Sequence, residues 1–146
     1  METIDKEMAA RVWQRVHPQP QVPQSQGLLG LITQELTNAV IYLQLARRLQ
    51  GRQSVLLRKL AQQEQTHAAC LKGIYTLITG EHPKARAIQP DTAPVEVLLR
   101  KCYGAQMRSL AQYEQRMADP EYGKVFAGLA EQERQNCQTL LAILGM

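Results

Sequence analysis

Apolar positions recur by alternating threes and fours in five stretches of the chain, separated by breaks rich in Pro or Gly. That spacing lays one apolar stripe along a helix. The first stretch, about residues 3–16, aligns Ile4, Met8, Val12 and Val16, with Trp13 beside them. It ends at HPQPQVPQ, where Pro18, Pro20 and Pro23 preclude helix and predict an extended tether. A stronger pattern fills about residues 27–50: Leu28, Ile32, Glu35, Ala39, Tyr42, Ala46 and Leu49, with Gly51 a natural place to turn. The next helix, about 53–79, carries Leu57, Leu60, Glu64, His67, Leu71, Ile74 and Ile78, and Gly80 supplies its stop.

Residues 81–94 (EHPKARAIQPDTAP) hold three Pro and read as a linker. Fourteen extended residues reach about 46–50 Å. A 25-residue helix is only about 38 Å long. The linker can therefore run the full length of a bundle, which the short turn near Gly51 cannot. A third bundle helix, about 95–118, aligns Val95, Leu99, Cys102, Gln106, Leu110, Tyr113 and Met117. Asp119, Pro120 and Glu121 then read as a helix restart, with an N-cap, a Pro at the first helical position and an acid in the first turn. The last helix, about 121–144, aligns Tyr122, Phe126, Leu129, Glu133, Asn136, Leu140 and Ile143. No segment alternates as a strand does. The expected fold is all-α, with an arm and tether over residues 1–24 and a four-helix bundle over 25–146.

The bundle repeats itself. Residues 60–67 read LAQQEQTH and residues 129–136 read LAEQERQN, matching at four of eight positions. One helix earlier, Glu35 with Tyr42 lines up against Gln106 with Tyr113, each pair seven residues apart. A helix pair duplicated and joined by a long crossover accounts for both correspondences.

Six polar residues interrupt the four stripes near their middles: Glu35, Glu64, His67, Gln106, Glu133 and Asn136. In an antiparallel bundle they converge at one level. Burying three carboxylates without a counter-charge is costly, several kcal/mol for each ion even after relaxation. Either cations neutralise them, or they take up protons and become hydrogen-bonded. No Lys or Arg occupies a stripe at this level, so the cation would be a metal. Glu64-x-x-His67 places carboxylate and imidazole on one helical face, where they can share it.

In these residues the sequence resembles the ferritin-like di-iron carboxylate family, and within it the rubrerythrin-like branch. The resemblance covers roughly residues 27–145 and implies a ferritin-like four-helix bundle with its long crossover between the second and third helices. That family's site takes one Glu from each of two helices and Glu-x-x-His from the other two. Glu35, Glu64 with His67, and Glu133 stand at such places, and Tyr42 stands where ferritins also have a Tyr. Gln106 and Asn136 replace the second lone Glu and the second His. The resemblance assigns Glu35 and His67 to one metal, bridged by Glu64 and Glu133, and leaves the other position with two neutral amides. It thus implies one intact position for Fe or Mn per chain, a degraded second one, and at most a residual redox role. The four-Cys electron-transfer module of full-length rubrerythrins is missing, which argues against full di-iron peroxidase activity. The alternative reading is a metal-free helical bundle, serving as an interaction or assembly module, whose buried polar residues fix register.

Composition agrees with this picture and narrows the partners. The chain has 146 residues, of which 45% are hydrophobic and 21% charged, the range of a single globular domain. Three widely spaced Cys provide neither a disulfide framework nor a zinc knuckle. Cys70 and Cys102 read as small buried hydrophobes, whereas Cys137 falls off the stripe. A net charge of +4 is modest and aromatic interleaving is absent, so no nucleic-acid partner is expected. Arg47, Arg48, Arg52, Arg58 and Lys59 form a basic cap on one end, read as a solvated inter-helix turn. The chain shows no membrane span and opens on charged residues, which predicts a cytoplasmic protein. The arm's stripe can pack on its own bundle or, through the tether, on a neighbour's, which would yield a homodimer.

Overall fold

A computed structural model of the chain describes residues 23–89 and 92–146. The expectations for the arm and most of the tether lie outside these residues. Among the described residues there are four α-helices and no strand: α1 (Leu28–Arg48), α2 (Gly51–Thr79), α3 (Val95–Gln115) and α4 (Gly123–Leu144). They form a four-helix bundle in which α1 packs on α2 and α3 on α4, while α1 also meets α3 and α2 meets α4.

The ends of the helices show how neighbours run. Arg48, at the end of α1, donates to the Ala93 carbonyl just before α3 at 2.7 Å. Gln53, near the start of α2, donates to the Ile143 carbonyl at the end of α4 at 3.1 Å. Each of these pairs is therefore antiparallel, so α2 and α3 are parallel and the connection between them must traverse the bundle. On the way, the Ile88 N–H donates to Thr37 Oγ1 in mid-α1 at 2.9 Å. The long linker read from the sequence does run lengthwise.

Local chemistry places the helix ends. Gly80 closes α2 at φ 74°, a left-handed conformation that costs a residue without Cβ little, and its N–H bonds back to the Thr76 carbonyl. Arg47 and Arg48 fall in the last turn of α1, where they complement the helix dipole. Asp119 caps as expected, its Oδ1 accepting the N–H groups of Glu121 and Tyr122 at 2.9 Å each, although the regular helix starts only at Gly123.

The stripe residues are buried with few exceptions. Met117, expected on the α3 stripe, is 44% exposed because the helix ends at Gln115. Arg116 takes the buried place instead, its guanidinium over the Phe126 ring and its N–H groups on the carbonyls of Gln24 and Gln26. Cys137, expected off the stripe, is buried, with its Sγ 3.7 Å from Met107 Sδ. Two apolar clusters fill the bundle. One gathers Leu45, Leu57, Leu60, Leu98 and Leu140 at the end where α1 finishes. The other gathers Leu28, Ile32, Leu71, Phe126 and Leu129 at the opposite end. The polar stripe residues lie between them.

Two glycines of α4 separate packing from propensity. A Cβ on Gly123 would run into the Met117 carbonyl, whereas one on Gly128 would meet nothing. Gly123→Ala is expected to cost about 1–3 kcal/mol through overpacking. Gly128→Ala is expected to stabilise by about 0.5–1 kcal/mol through helix propensity. Equilibrium urea unfolding at unchanged slope measures both.

Candidate metal centre

Glu35 comes from α1, Glu64 and His67 from α2, and Glu133 from α4, all essentially inaccessible to solvent. One ligand atom from each lies within 4.8 Å of the others. His67 Nδ1 is the hub: it is 3.0 Å from Glu133 Oε1, 3.5 Å from Glu35 Oε2 and 3.9 Å from Glu64 Oε1. Two donors each about 2.1 Å from one ion stand about 3.0 Å apart at right angles and about 4.2 Å apart when opposed. The hub distances fall in that interval. This buried Glu/His group can hold a metal ion.

The other ring nitrogen has its own partner. His67 Nε2 bonds to Gln132 Oε1. The amide oxygen can only accept, so Nε2 carries the proton and Nδ1 is left facing the carboxylates. A ligating histidine usually has its ring orientation and tautomer set in this manner. Gln132 was not singled out by sequence reasoning, because it lies beside the α4 stripe and nothing in the local pattern points to its partner on α2.

The two halves interlock across the bundle. Tyr113 O–H, from the second half, donates to Glu35 Oε1 at 2.7 Å, and Gln106 Nε2 donates to the first half's Tyr42 oxygen at 2.8 Å. Likewise His67 Nδ1 faces Glu133 at 3.0 Å, and Asn136 Nδ2 donates to Glu64 Oε1 at 2.9 Å. Each contact has a counterpart under exchange of halves, as the repeat predicts. Gln106 and Asn136 thus sit where Glu35 and His67 have their counterparts in the other half, and Asn136 presents an amide N–H to Glu64. A donor in that place competes with a second cation for the same oxygen.

These bonds satisfy one oxygen of each glutamate. Oε2 of Glu35, of Glu64 and of Glu133 is buried without a hydrogen-bond partner. Three carboxylates, each with an oxygen still free to accept, and one imidazole are a donor set suited to a divalent transition ion. Comparison with protein-family models, with curated proteins and with solved structures finds no match to the chain. The reading of the site therefore stands on its geometry.

Burial and mutual charge displace the titrations. Burial, reinforced by the Glu35 charge, pushes Glu64 well above the usual carboxylate range. Burial likewise carries Glu133 up to about 7 against the pull of its bond to His67. For His67 burial acts downward, but the bonds to Glu133 and Glu35 and the nearby carboxylate charges outweigh it and carry the imidazole up to about 11. Without metal, then, the centre holds protons where an ion would sit. Burial and the Glu64 charge push Cys102 up to about 12, so it remains a thiol at neutral pH.

The shifts of Glu133 and His67 act in the same direction. Glu133 and His67 bind protons more tightly folded than unfolded, so metal-free stability falls as pH rises, through 4.5 to about 7 for Glu133 and through 6.5 to about 11 for His67. A divalent ion must displace these protons and binds more tightly at higher pH. Thermal unfolding should therefore show a lower metal-free midpoint at about pH 8.5 than at about pH 6, and a larger increase on adding Mn(II) at the higher pH. A metal-free midpoint that rises across this window, or a Mn(II) increment that shrinks, overturns the assignment.

Proposed function

We propose that the chain is a metal-binding protein of the ferritin-like, rubrerythrin type, holding one Fe or Mn ion through Glu35, Glu64, His67 and Glu133. The observation that carries this reading is that one ligand atom from each of these four buried residues lies within 4.8 Å of the others, while each glutamate also keeps an oxygen without a hydrogen-bond partner. The residue types fit such an ion: oxygen and imidazole donors suit Fe(II) and Mn(II), and no thiolate belongs to the set. Two neutral amides, Gln106 and Asn136, mark a degraded second position, and the Asn136 N–H on Glu64 favours one ion over two.

A bound Fe or Mn would supply one-electron redox chemistry. The chain's own part is to hold the ion in a dry layer. Tyr113 orients Glu35, Gln132 fixes the His67 ring, and the flanking apolar clusters exclude water. A single ion lacks the neighbour with which paired sites share electrons, so binding, with at most a residual redox role, is the function proposed. A rival reading is a metal-free bundle acting as an interaction or assembly module. In its favour, Tyr113, Asn136 and His67 already give each carboxylate one donor.

Elemental analysis of protein expressed with Fe and Mn supplied, alongside His67→Ala and Glu64→Gln, separates the two. The metal reading expects about one ion per chain in the wild type and less than a tenth of that in either variant. An ion present at about 100 times its Kd should add about 2.7 kcal/mol to stability. The metal-free reading expects no ion in any of the three proteins and a Glu64→Gln variant as stable as the wild type or more so. Two ions per chain would refute the single-ion assignment.

A further inference from the structure

Between α1 and α3, beneath the crossover, lies a half-open pocket of about 270 Å³. At about 30 Å³ for each water-sized group, it has room for about nine such groups. None of its lining residues belongs to the four-residue centre, so a function for it stands or falls separately from metal binding.

The lining is of two kinds. Ile41, Leu98 and Ala105 form apolar wall, and Ile88 of the crossover, itself 65% exposed, flanks it. Among the described residues that line it, the charged ones are Lys101 and Arg108, seven residues apart on one face of α3, and Arg108 stands exposed at the rim. Inside, Asn38 is fully buried. Its Oδ1 accepts from Gln34 Nε2 at 2.9 Å, which fixes the amide, and its Nδ2 has no hydrogen-bond partner. A buried donor without an acceptor costs about 1–3 kcal/mol. The pocket therefore combines an unmet N–H donor, a guanidinium at the rim and an apolar wall. A carboxylate matches the first two, since its planar pair of oxygens accepts from Arg and from an amide together. A short hydrocarbon body matches the third.

We propose that this pocket is a binding site for a small amphipathic monocarboxylate, its head held by Asn38 and Arg108 and its hydrocarbon body against Ile41, Leu98 and Ile88. The bonding Nδ2 is fixed by Gln34, and the Ile88 N–H bond to Thr37 holds the crossover in place over α1. The ligand would sit against Cys102, which also lines the pocket.

The test is titration of the isotope-labelled full chain with sodium octanoate, followed by NMR, with octan-1-ol and octylamine as comparison probes. Saturable shifts at the Asn38 side-chain amide and at Ile88 and Ala105 are expected with octanoate. Octan-1-ol and octylamine should bind at least tenfold more weakly. Arg108→Gln, an exposed substitution that leaves the core untouched, should weaken octanoate about tenfold and leave octan-1-ol unchanged. Ala105→Leu, which fills the pocket, should abolish the shifts while far-UV circular dichroism stays that of the wild type. Should that variant not fold, Arg108→Gln decides alone. Non-saturable shifts, equal affinity for octan-1-ol, or octanoate binding indifferent to Arg108→Gln would overturn the proposal and leave a water-filled cleft.

Discussion

Three glutamates buried in one layer of a helical bundle form the constraint to which the remaining structure answers. Each ionised carboxylate removed from water loses several kcal/mol of solvation. No Lys or Arg reaches this layer among the described buried residues, and Arg116, the one buried guanidinium, is spent on the carbonyls of Gln24 and Gln26. The layer must therefore supply its own donors. It takes them from opposite halves of the bundle: Tyr113 for Glu35, Asn136 for Glu64, His67 for Glu133. None of the three donors comes from the helix of the carboxylate it serves. The polar layer thereby fixes the register of all four helices, since sliding any one by a turn would leave a buried charge without its donor.

This cross-pairing also explains why the second half carries amides and not apolar residues. A Leu at position 136 would strand Glu64 Oε1 without a donor. Asn retains a donor of similar reach and needs no charge. Gln106 does the same for the Tyr42 oxygen. An amide at each of these places thus keeps the hydrogen-bond arithmetic of the two halves while adding no charge. The asymmetry between halves is a difference of chemistry on a shared geometry.

Much of this architecture was legible in the chain, for identifiable reasons. Glu35, Glu64, His67, Gln106, Glu133 and Asn136 stood out because a polar residue on an apolar stripe has to be explained, and stripe position predicts burial. The crossover was legible because its reach could be compared with a helix length. Leu31, Asn38, Leu45, Ala105 and Ser109 were not anticipated, yet all are buried. Each bundle helix touches two neighbours, so its hidden face is wider than a three-four stripe. Asn38 and Ser109 fall in that extra width, where α1 meets α3. Gln132 escaped for a related reason, since its partner lies on another helix 65 residues away. Met117 misled because periodicity continued past the point where the chain leaves the helix.

The hydrogen bonds go only half-way around the carboxylate layer, and this bears on how its residues act together. Each glutamate keeps one oxygen without a donor. Facing the three carboxylates is a single Nδ1–H, nearest Glu133 Oε1 and progressively farther from Glu35 Oε2 and Glu64 Oε1. One proton can satisfy one acceptor well, so protonation relieves the layer piecemeal, whereas a divalent ion meets several oxygens at once. Removing any one of the four residues therefore changes the surroundings of the other three. In the metal-bound condition it would also break a shared coordination set. Energies of single substitutions here will not add, because each reports on the same unit.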